Sequence, residues 1–579
     1  MTTALLGSIV PLATLASPAT CAVAAIAAYV LAYRFYAGWL SRRVFRLDDD
    51  AVTPAHELRD GVDYLPTRPA VLFGHHFASI TGLAPMLGPA IAVIWGWGPA
   101  LVWVVLGACL IGCVHDFGAL VLSARSKGVS VGQVAETLLG PRGRTLFHFI
   151  IFFGVALAMG VFVLVISMLF SLELAPGRPG YPQAVLPSAL LMAVAVVSGV
   201  LLYKVGFPLM PVAIAGFAIE LFGIWLGREH PTMGLAESAW PGPAEWKWIL
   251  LGYAFLASVL PVWSLLQSRD FLNSLLLYLG LGLAYVGFFA LRPSFDAPML
   301  VTEPEGSPPL LPFVFITIAC GAASGFHGLV SSGTTAKQLD RESHARPIGY
   351  GGMIGESLLG LLATLACTAG FASSELWHDH YASWDAAQGL PTKIDAFIQG
   401  TTRFVAHLGV PPSLAAALIA MVVVSFALTT LDSATRLLRF NVEEIGACFR
   451  IPLTQNRYVS TLVACLAIAL FAFYEIDGKP AGLALWALFG TTNQLLAGLT
   501  LTLVTLYLRQ RGRPTWPTAL PAVFMMGSTL TAMVVNLRTF LPGGAKADGL
   551  LLSVGAVLLV LGAWLLVEAL LALRPRPQR

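Results

Sequence analysis

Charge is scarce in this sequence, because Asp, Glu, Lys and Arg together make up only 11% of its 579 residues. A soluble domain carries roughly 25% charged residues, so a chain of this length cannot cover a water-facing surface. Blocks of consecutive basic residues are also missing, and nothing indicates a nucleic-acid partner. The first apolar run, 7–33, has no basic residue before it, which favours a membrane span over a cleaved signal peptide.

Cysteine is infrequent as well, with seven residues that lie almost entirely in or beside apolar runs. Such cysteines are typically small buried side chains, and we expect them to form neither disulfides nor metal sites. We also expect no cofactor.

Hydrophobic residues supply 57% of the chain, and its mean hydropathy is +0.77. Apolar runs of about 20 residues, the length that crosses a ~30 Å hydrocarbon core, recur along nearly the whole sequence. They predict an all-α polytopic integral membrane protein with about fifteen transmembrane helices in the lipid bilayer. We place these spans at 7–33, 70–95, 99–123, 146–170, 186–203, 206–227, 248–266, 271–291, 311–333, 350–372, 412–434, 458–474, 481–507, 517–535 and 549–573. The longest interruption, 373–411, is predicted to be an extramembrane loop with a short amphipathic helix.

The distribution of basic residues predicts the orientation of the chain. Loops that follow odd-numbered spans, together with the C-terminal tail, hold 25 of the 34 Lys and Arg residues. Cytoplasmic loops are enriched in these residues. The N-terminus is therefore expected outside and the C-terminus in the cytoplasm.

A short motif occurs twice, in spans 2 and 9. Residues 74–82 and 325–333 both fit Gly-x-His-x-x-x-x-(Ser/Thr)-Gly. Seven steps separate the two spans, so they cross the membrane in opposite senses, as inverted-topology repeats of secondary transporters do. We predict a transporter core at 70–510 with inverted repeats that start near 70 and 311. It is preceded by a first helix and cytoplasmic loop at 1–69 and followed by two C-terminal helices at 511–579.

Span 2 contains two prolines and three glycines within residues 73–89, a composition that disfavours a continuous helix. A break leaves backbone groups that line a cavity or meet a ligand, and the partially positive N-terminal end of a half-helix suits a carboxylate. We therefore predict substrate binding by His75, His76, Ser79 and Thr81. The alternative is a merely kinked helix whose histidines bond to carbonyls. A metal is less favoured, because adjacent histidines point to different helix faces.

Span 9 carries a second polar run in a setting of small residues. Ser324, His327, Ser331 and Thr334 are predicted to bind substrate, and His327 could also carry a proton. Close helix packing explains the glycines of this run equally well.

Isolated acids inside spans are candidates for proton carriers, because burial raises the cost of their charge. Asp116, Glu356 and Asp432 are predicted to take part in proton coupling, and Glu220 shares the same setting. Each could instead be half of a structural ion pair. Arg436 lies four residues after Asp432, so that acid has an evident local partner.

Two adjacent amides, Asn493 and Gln494, lie in span 13. We count them among the substrate-binding candidates, although hydrogen bonds between helices are the favoured interpretation.

Several stretches of the chain resemble signatures of the carbon starvation protein A family. They are 73–89, 114–117, 260–263 with Arg269 and Asp270, 315–327, 331–335, 348–353 and 489–494. The resemblance covers about 33–506 and implies a bacterial inner-membrane transporter of the amino acid–polyamine–cation superfamily. Members of this family are associated with uptake of peptides or pyruvate when carbon is scarce, and for pyruvate the resemblance implies proton symport. This chain departs from many relatives at His115, Ser79 and Thr81.

Together these features predict a secondary active transporter for a small nutrient, either a pyruvate-like carboxylate or short peptides. The expected coupling ion is H⁺. One alternative is Na⁺ coupling, because carbonyls at broken helices bind Na⁺ without diagnostic side chains. The other is a membrane-embedded, metal-dependent enzyme.

Overall fold

The computed structural model describes residues 17–61, 63–476, 479–480, 482–544 and 547–572. The predicted all-α class is confirmed, since helices make up almost all of this part of the chain. Two short antiparallel hairpins are added, β1 (Glu173–Ala175) with β2 (Arg178–Pro179) and β3 (Glu475–Ile476) with β4 (Lys479–Pro480).

The helices follow one another with short connections. In the first half they are α1 (Pro18–Phe45), α2 (Pro54–Glu57), α3 (Pro69–Ile80), α4 (Ala84–Trp95), α5 (Trp97–Ala124), α6 (Val131–Leu139), α7 (Pro141–Phe170), α8 (Pro182–Val205), α9 (Leu209–Glu229), α10 (Pro243–Val259) and α11 (Leu266–Leu291).

In the second half they are α12 (Leu310–Thr317), α13 (Gly325–Val330, continued by wide turns at Ser331–Thr335), α14 (Glu342–Ala369), α15 (Ser374–His380), α16 (Trp384–Ala387), α17 (Leu390–Ala406), α18 (Pro412–Cys448), α19 (Arg457–Ala472), α20 (Gly482–Gln510), α21 (Trp516–Phe540) and α22 (Gly549–Ala572). The predicted loop at 373–411 thus contains three helices rather than one.

Ten helices in the described residues are long and apolar enough to cross a membrane, and the bent pair α3–α4 brings the number to eleven. The prediction of about fifteen spans is therefore confirmed only in part. At the other four predicted positions, α10 and α19 have 17 and 16 residues. The segment α12–α13 is interrupted, and α20 carries a polar run around Asn493.

The first span lies further along the chain than predicted, at Pro18–Phe45 instead of 7–33. Residues 7–16 of the predicted range lie outside the described residues. The start of α1 has a local cause, because the Ser17 hydroxyl accepts a hydrogen bond from the Thr20 amide and Pro18 occupies the first turn.

The longest helix, α18, forms the centre of the fold. It has 37 residues and packs against α7, α10, α11, α17 and α19. Most of its surface is buried, so it contacts the first broken segment with one face and the surrounding helices with the others.

The predicted break in span 2 is present between α3 and α4, which meet at 47°. Pro85 has no backbone N–H for the carbonyl of Thr81, four residues earlier. Threonines of α18 supply the missing donors. Thr430 donates to the Thr81 carbonyl (3.4 Å) and Thr429 donates to the Ala78 carbonyl (3.1 Å). The break is thus held open by side chains of a neighbouring helix.

Span 9 is also broken, between Thr317 and Gly325. Here α20 supplies the partners. The side-chain oxygen of Asn493 accepts a hydrogen bond from the Phe326 amide (2.8 Å), and the Gln494 amide donates to the carbonyl of Phe315 (2.7 Å). Gly325 permits this approach, because a methyl group at its position would lie 2.3 Å from the carbonyl oxygen of Asn493.

Candidate functional site

The two broken segments touch each other in the interior of the protein. His76 Nδ1 on α3 lies 2.9 Å from Thr335 Oγ1 at the end of α13, and both side chains are fully buried. His76 directly follows His75, which contacts Asp270, and Thr335 lies eight residues after His327 on the same broken segment. The contact therefore lies between two groups of ionisable side chains.

The first group, the His327 cluster, consists of His115, Asp116, His327 and Glu356. His327 Nδ1 lies 2.9 Å from Asp116 Oδ2, and its Nε2 lies 2.8 Å from Glu356 Oε2 without hydrogen-bond alignment. The other carboxylate oxygen of Asp116 is 2.7 Å from His115 Nδ1. All four side chains are completely buried. Three of the predicted proton-coupling residues, Asp116, His327 and Glu356, are thus in direct contact.

The second group, the Asp432 cluster, consists of Tyr253, Arg269, Asp270 and Asp432. Arg269 on α11 forms close contacts with Tyr253 and Asp432, and Tyr253 also donates to Asp432. Arg269 lies 3.7 Å from Asp270 as well. An arginine between two aspartates accounts for the burial of all three charges.

Two predicted substrate-binding residues contact this second group. His75 Nδ1 lies 2.8 Å from Asp270 Oδ2, and the Ser79 hydroxyl donates to the same oxygen (3.1 Å). The Asp432 cluster is therefore connected to α3, whereas the His327 cluster belongs to α5, α13 and α14.

The local partner suggested for Asp432 is wrong. Arg436 donates to the carbonyls of Ala257 (2.8 Å) and Leu260, and its nearest carboxylate is Asp63 at 3.8 Å. The interhelical pair with Arg269 replaces the local pair, because Arg269 is buried beside Asp432 and meets its carboxylate directly.

Four predicted substrate-binding residues mainly support the broken backbone. Ser324 and Asn493 bond to each other, Gln494 bonds to a carbonyl of α12, and the Thr334 hydroxyl donates to the carbonyl of Val330. For Asn493 and Gln494 this agrees with the favoured structural interpretation.

Other polar atoms at the breaks are buried without hydrogen-bond partners in the described part of the chain. They are His75 Nε2, His76 Nε2, Thr81 Oγ1 and Ser331 Oγ. Glu220 on α9 is also buried, and neither of its oxygens has a hydrogen-bond partner among the described residues.

Sequence reasoning missed Tyr253, Arg269, Asp270 and His115 as site residues. The predicted boundaries 248–266 and 271–291 placed Arg269 and Asp270 in a loop, yet both are buried inside α11. Adjacent opposite charges beside two apolar runs were the available signal, because ionisable residues within membrane helices are costly and mark functional positions.

One further cluster of potential ligand atoms was not expected from the sequence. Ligand atoms of Cys320, His327 and Glu356 lie within 4.8 Å of one another, and all three residues are buried. Thiolate, imidazole and carboxylate form a donor set that suits Zn²⁺. Cys320 Sγ already accepts a hydrogen bond from the Asn493 side-chain amide (3.2 Å). Packing at the break therefore also accounts for the buried position of this thiol.

Comparison with known proteins places this arrangement in a family. Residues 17–376 and 378–532 match the family described as carbon starvation protein CstA. The chain belongs to the carbon starvation protein CstA family. The predicted resemblance is thereby confirmed.

Relatives in this family are transporters rather than enzymes. The peptide transporter CstA of Escherichia coli K12 is 33% identical over 88% of this chain and 80% of its own length. The peptide transporter CstA of Mycobacterium tuberculosis H37Rv is 33% identical over 88% of this chain and 74% of its own length. The pyruvate/proton symporter BtsT of Escherichia coli K12 is 30% identical over 89% and 81%.

Among solved structures, a manganese transporter from Eremococcus coleocola aligns over 89% of this chain and 99% of its own with a TM-score of 0.47 and 11% identity. Its helices and its relatives make this CstA-family chain a multi-pass membrane protein, and the named relatives are bacterial transporters.

Proposed function

We propose that this protein is a proton-coupled secondary transporter that imports a pyruvate-like carboxylate or short peptides across the bacterial inner membrane during carbon starvation. The His327 cluster carries this proposal. It contains a fully buried imidazole within 2.9 Å of carboxylates from two other helices. Relatives named as peptide transporters and as a pyruvate/proton symporter support the substrate classes and the coupling ion.

Proton coupling follows from the charges that the cluster holds. The imidazole of His327 lies between the carboxylates of Asp116 and Glu356, so one protonated imidazole leaves one negative charge among these three buried groups. One further proton makes the cluster neutral, and a neutral site is less costly to enclose within the membrane. The imidazole of His327 offers a path for that proton, because its two nitrogens face different carboxylates.

Substrate binding is proposed at buried polar atoms that have no hydrogen-bond partner among the described residues. His75 Nε2, His76 Nε2, Thr81 Oγ1 and Ser331 Oγ are buried and make no hydrogen bond within the described residues. The two hydroxyls can donate to a substrate oxygen, and so can His76 Nε2 when Nδ1 accepts from Thr335. His75 Nδ1 donates to Asp270, so Nε2 of the neutral ring can accept a hydrogen bond from a substrate group. Ser79, Ser324, Thr334, Asn493 and Gln494 have other partners. We therefore assign those five residues to the framework of the site rather than to substrate contact.

The orientation and the internal symmetry belong to the same proposal. Alternating access needs two antiparallel units around one site. The break at 81–83 overlaps the end of the first motif copy, whereas the break at 318–324 precedes the second copy. The inverted repeats that start near 70 and 311 are proposed from the repeated motif, since each of its copies adjoins a break. The N-terminus outside, the C-terminus in the cytoplasm and the division at 1–69, 70–510 and 511–579 remain predictions.

Uptake into proteoliposomes tests the proposal. The purified full chain is reconstituted, and accumulation of labelled pyruvate and of a labelled dipeptide is followed under an inwardly directed pH gradient. We expect accumulation that a protonophore abolishes and that replacement of Na⁺ by choline leaves unchanged. Accumulation that persists with protonophore and disappears without Na⁺ would establish the alternative coupling ion.

A further inference from the structure

A separate cavity of about 310 Å³ opens beside the second broken segment. We call it the Lys337 cavity, and its polar lining consists of Tyr64, Ser130, Ser332, Lys337, Asn441, Glu443, Glu444 and Gln455. Ser332 and Gly333, which belong to the wide turns that continue α13, form part of its wall. The cavity is therefore in contact with the broken segment to which the His327 cluster is attached. Its volume lies at the lower end of the range for small-molecule sites, roughly 300–1,000 Å³.

The lining of this cavity includes the ammonium group of Lys337. Lys337 Nζ lies 4.4 Å from the ring centre of Phe440 and 5.3 Å from that of Tyr64. Within the described residues it forms no ion pair closer than 4.0 Å. Lys337 lies in the turn between α13 and α14, and burial lowers the pKa of its ammonium group while Asp63 and Glu444 oppose this effect. A bound carboxylate would stabilise the charged form of this side chain.

The same cavity is lined by the carboxylate of Glu444, which forms no ion pair with an arginine or lysine of the described residues within 4.0 Å. Glu444 accepts hydrogen bonds from the Ser130 hydroxyl at 2.8 and 3.0 Å, and one of its oxygens lies 3.3 Å from His148 Nδ1. Its neighbour Glu443 differs, because it lies 3.8 Å from Arg439 and accepts a hydrogen bond from Ser460. Glu444 is thus the lining carboxylate that can receive a cationic ligand group.

The rest of the lining is largely apolar and includes Val129, Ile151, Leu329 and Leu437, together with the ring of Phe440. Such a surface suits a hydrocarbon side chain. A small monoanion would meet Lys337 but would also meet the negative charge of Glu444, an arrangement that lowers its affinity.

We propose that the Lys337 cavity binds a zwitterion, a short peptide whose carboxylate meets Lys337, whose ammonium group meets Glu444 and whose apolar side chain contacts Phe440. This inference rests on the proposed transport function and selects peptides from its two substrate classes. The cavity is then a binding position on the substrate path next to the second break.

Competition experiments with four probes test this assignment. Proteoliposomes that contain the full chain take up labelled L-alanyl-L-leucine, and unlabelled L-alanyl-L-leucine, its N-acetyl derivative, its C-terminal amide and pyruvate compete. We expect the N-acetyl derivative, the amide and pyruvate each to compete at least about tenfold more weakly than the dipeptide. Each of them lacks one charge-assisted contact or the apolar side chain.

Two variants test whether Glu444 contacts the peptide ammonium group and whether Lys337 contacts the peptide carboxylate. Glu444→Gln is expected to weaken competition by the dipeptide about tenfold and to leave the N-acetyl derivative unchanged. Lys337→Met should weaken the dipeptide similarly and leave the amide unchanged. The control is Glu57→Gln, because Glu57 is an exposed carboxylate that lies 3.9 Å from Lys127 and outside the cavity. If Glu444→Gln fails to fold, Lys337→Met with the dipeptide and its C-terminal amide still tests the assignment.

The outcomes separate this inference from the proposed transport function. Pyruvate that competes as well as the dipeptide overturns the zwitterion assignment and leaves proton coupling intact. The zwitterion assignment is also overturned if the variants keep the wild-type order of competition strength among the four probes. It is overturned as well if no peptide is taken up and no peptide competes. Peptide preference together with protonophore-resistant accumulation would retain the cavity and reject proton coupling.

Discussion

His327 Nδ1 lies 2.9 Å from Asp116 Oδ2, and both side chains are completely buried. The same imidazole reaches Glu356 on α14 with its other nitrogen, at 2.8 Å. Titrations of groups this close are coupled, so a proton added to the cluster belongs to all three residues. The relationship joins α5, α13 and α14 through one side chain, and it is the first point at which the proposed mechanism can be tested.

We expect His327→Gln to abolish accumulation driven by a pH gradient and to retain exchange of substrate between the two sides. Glutamine can hydrogen-bond to one carboxylate but cannot carry the proton. Accumulation and counterflow are measured in the same proteoliposomes. The matched control is His56→Gln, because His56 forms a similar 2.8 Å pair with Asp340 in an exposed position. Wild-type accumulation by His327→Gln would remove His327 from the coupling mechanism.

The pair of Arg269 and Asp432 gives a second prediction, which distinguishes the interhelical partner from the local one. Asp432→Asn leaves the guanidinium of Arg269 buried without its main counter-charge, a change that costs about 3 to 5 kcal/mol in comparable pairs. Combining Asp432→Asn with Arg269→Met should therefore cost less than the sum of the two single changes. Thermal unfolding of the purified variants in one detergent measures these differences.

The control for that double-mutant cycle replaces Arg436. This arginine donates to the carbonyls of Ala257 and Leu260, and its nearest carboxylate belongs to Asp63. We expect Arg436→Met and Asp432→Asn to have additive effects on the melting temperature. Strong coupling in this second cycle, without coupling in the first, would contradict the arrangement of the Asp432 cluster.

Much of the architecture was predictable from the sequence, because lipid imposes simple requirements on composition. Apolar runs located helices at all the predicted positions, and Pro85 with its neighbouring glycines indicated the break after Ile80. The number of complete membrane spans was harder to predict from the sequence. Hydropathy marks α10 and α19 as apolar, but their lengths of 17 and 16 residues depend on where the chain turns.

The site was only partly predictable, since spacing along one helix reveals local neighbours and not tertiary partners. Asp432 and Arg436 are four residues apart and suggested a pair, whereas the actual partner of Asp432 comes from α11. A functional role could be predicted separately for Asp116, His327 and Glu356, because each is isolated in an apolar run. Their mutual contact required the packing of three helices.

Acid pH should loosen the 373–411 segment through His380 on α15. Burial lowers the pKa of His380 to about 4, with Asp395 opposing this effect and Arg178 adding to it. The unfolded segment then binds more protons than the folded one between about pH 6.5 and pH 4. The contribution of neutral His380 to stability is complete above this window and is lost as the pH falls through it.

Hydrogen exchange of the 373–411 segment, corrected for intrinsic rates, measures the effect at pH 7.5 and pH 5. We expect faster exchange at pH 5 in the wild type and a smaller difference in His380→Gln. The control is His378→Gln, because His378 lies on the exposed side of the same helix. An equal pH response in His380→Gln and the wild type would assign the loosening to other groups.

The close approach of α13 to α20 gives the last prediction, which concerns the second break. A methyl group at Gly325 would lie 2.3 Å from the Asn493 carbonyl oxygen and 2.5 Å from the Ala497 amide nitrogen. Backbone atoms cannot yield as a flexible side chain can, so Gly325→Ala must push the two helices apart. The Phe326 amide, which donates to the side chain of Asn493 at 2.8 Å, then loses its partner.

We expect Gly325→Ala to destabilise the protein by about 1 to 3 kcal/mol, the usual cost of overpacking. Gly252→Ala on α10 is the matched control, because a methyl group there has no atom within 4 Å and alanine favours helix. Melting temperatures of the two variants in the same detergent provide the comparison. Equal melting temperatures would mean that the broken segment does not depend on contact with α20. The Asn493 hydrogen bonds would then be a consequence of the break rather than the interaction that maintains it.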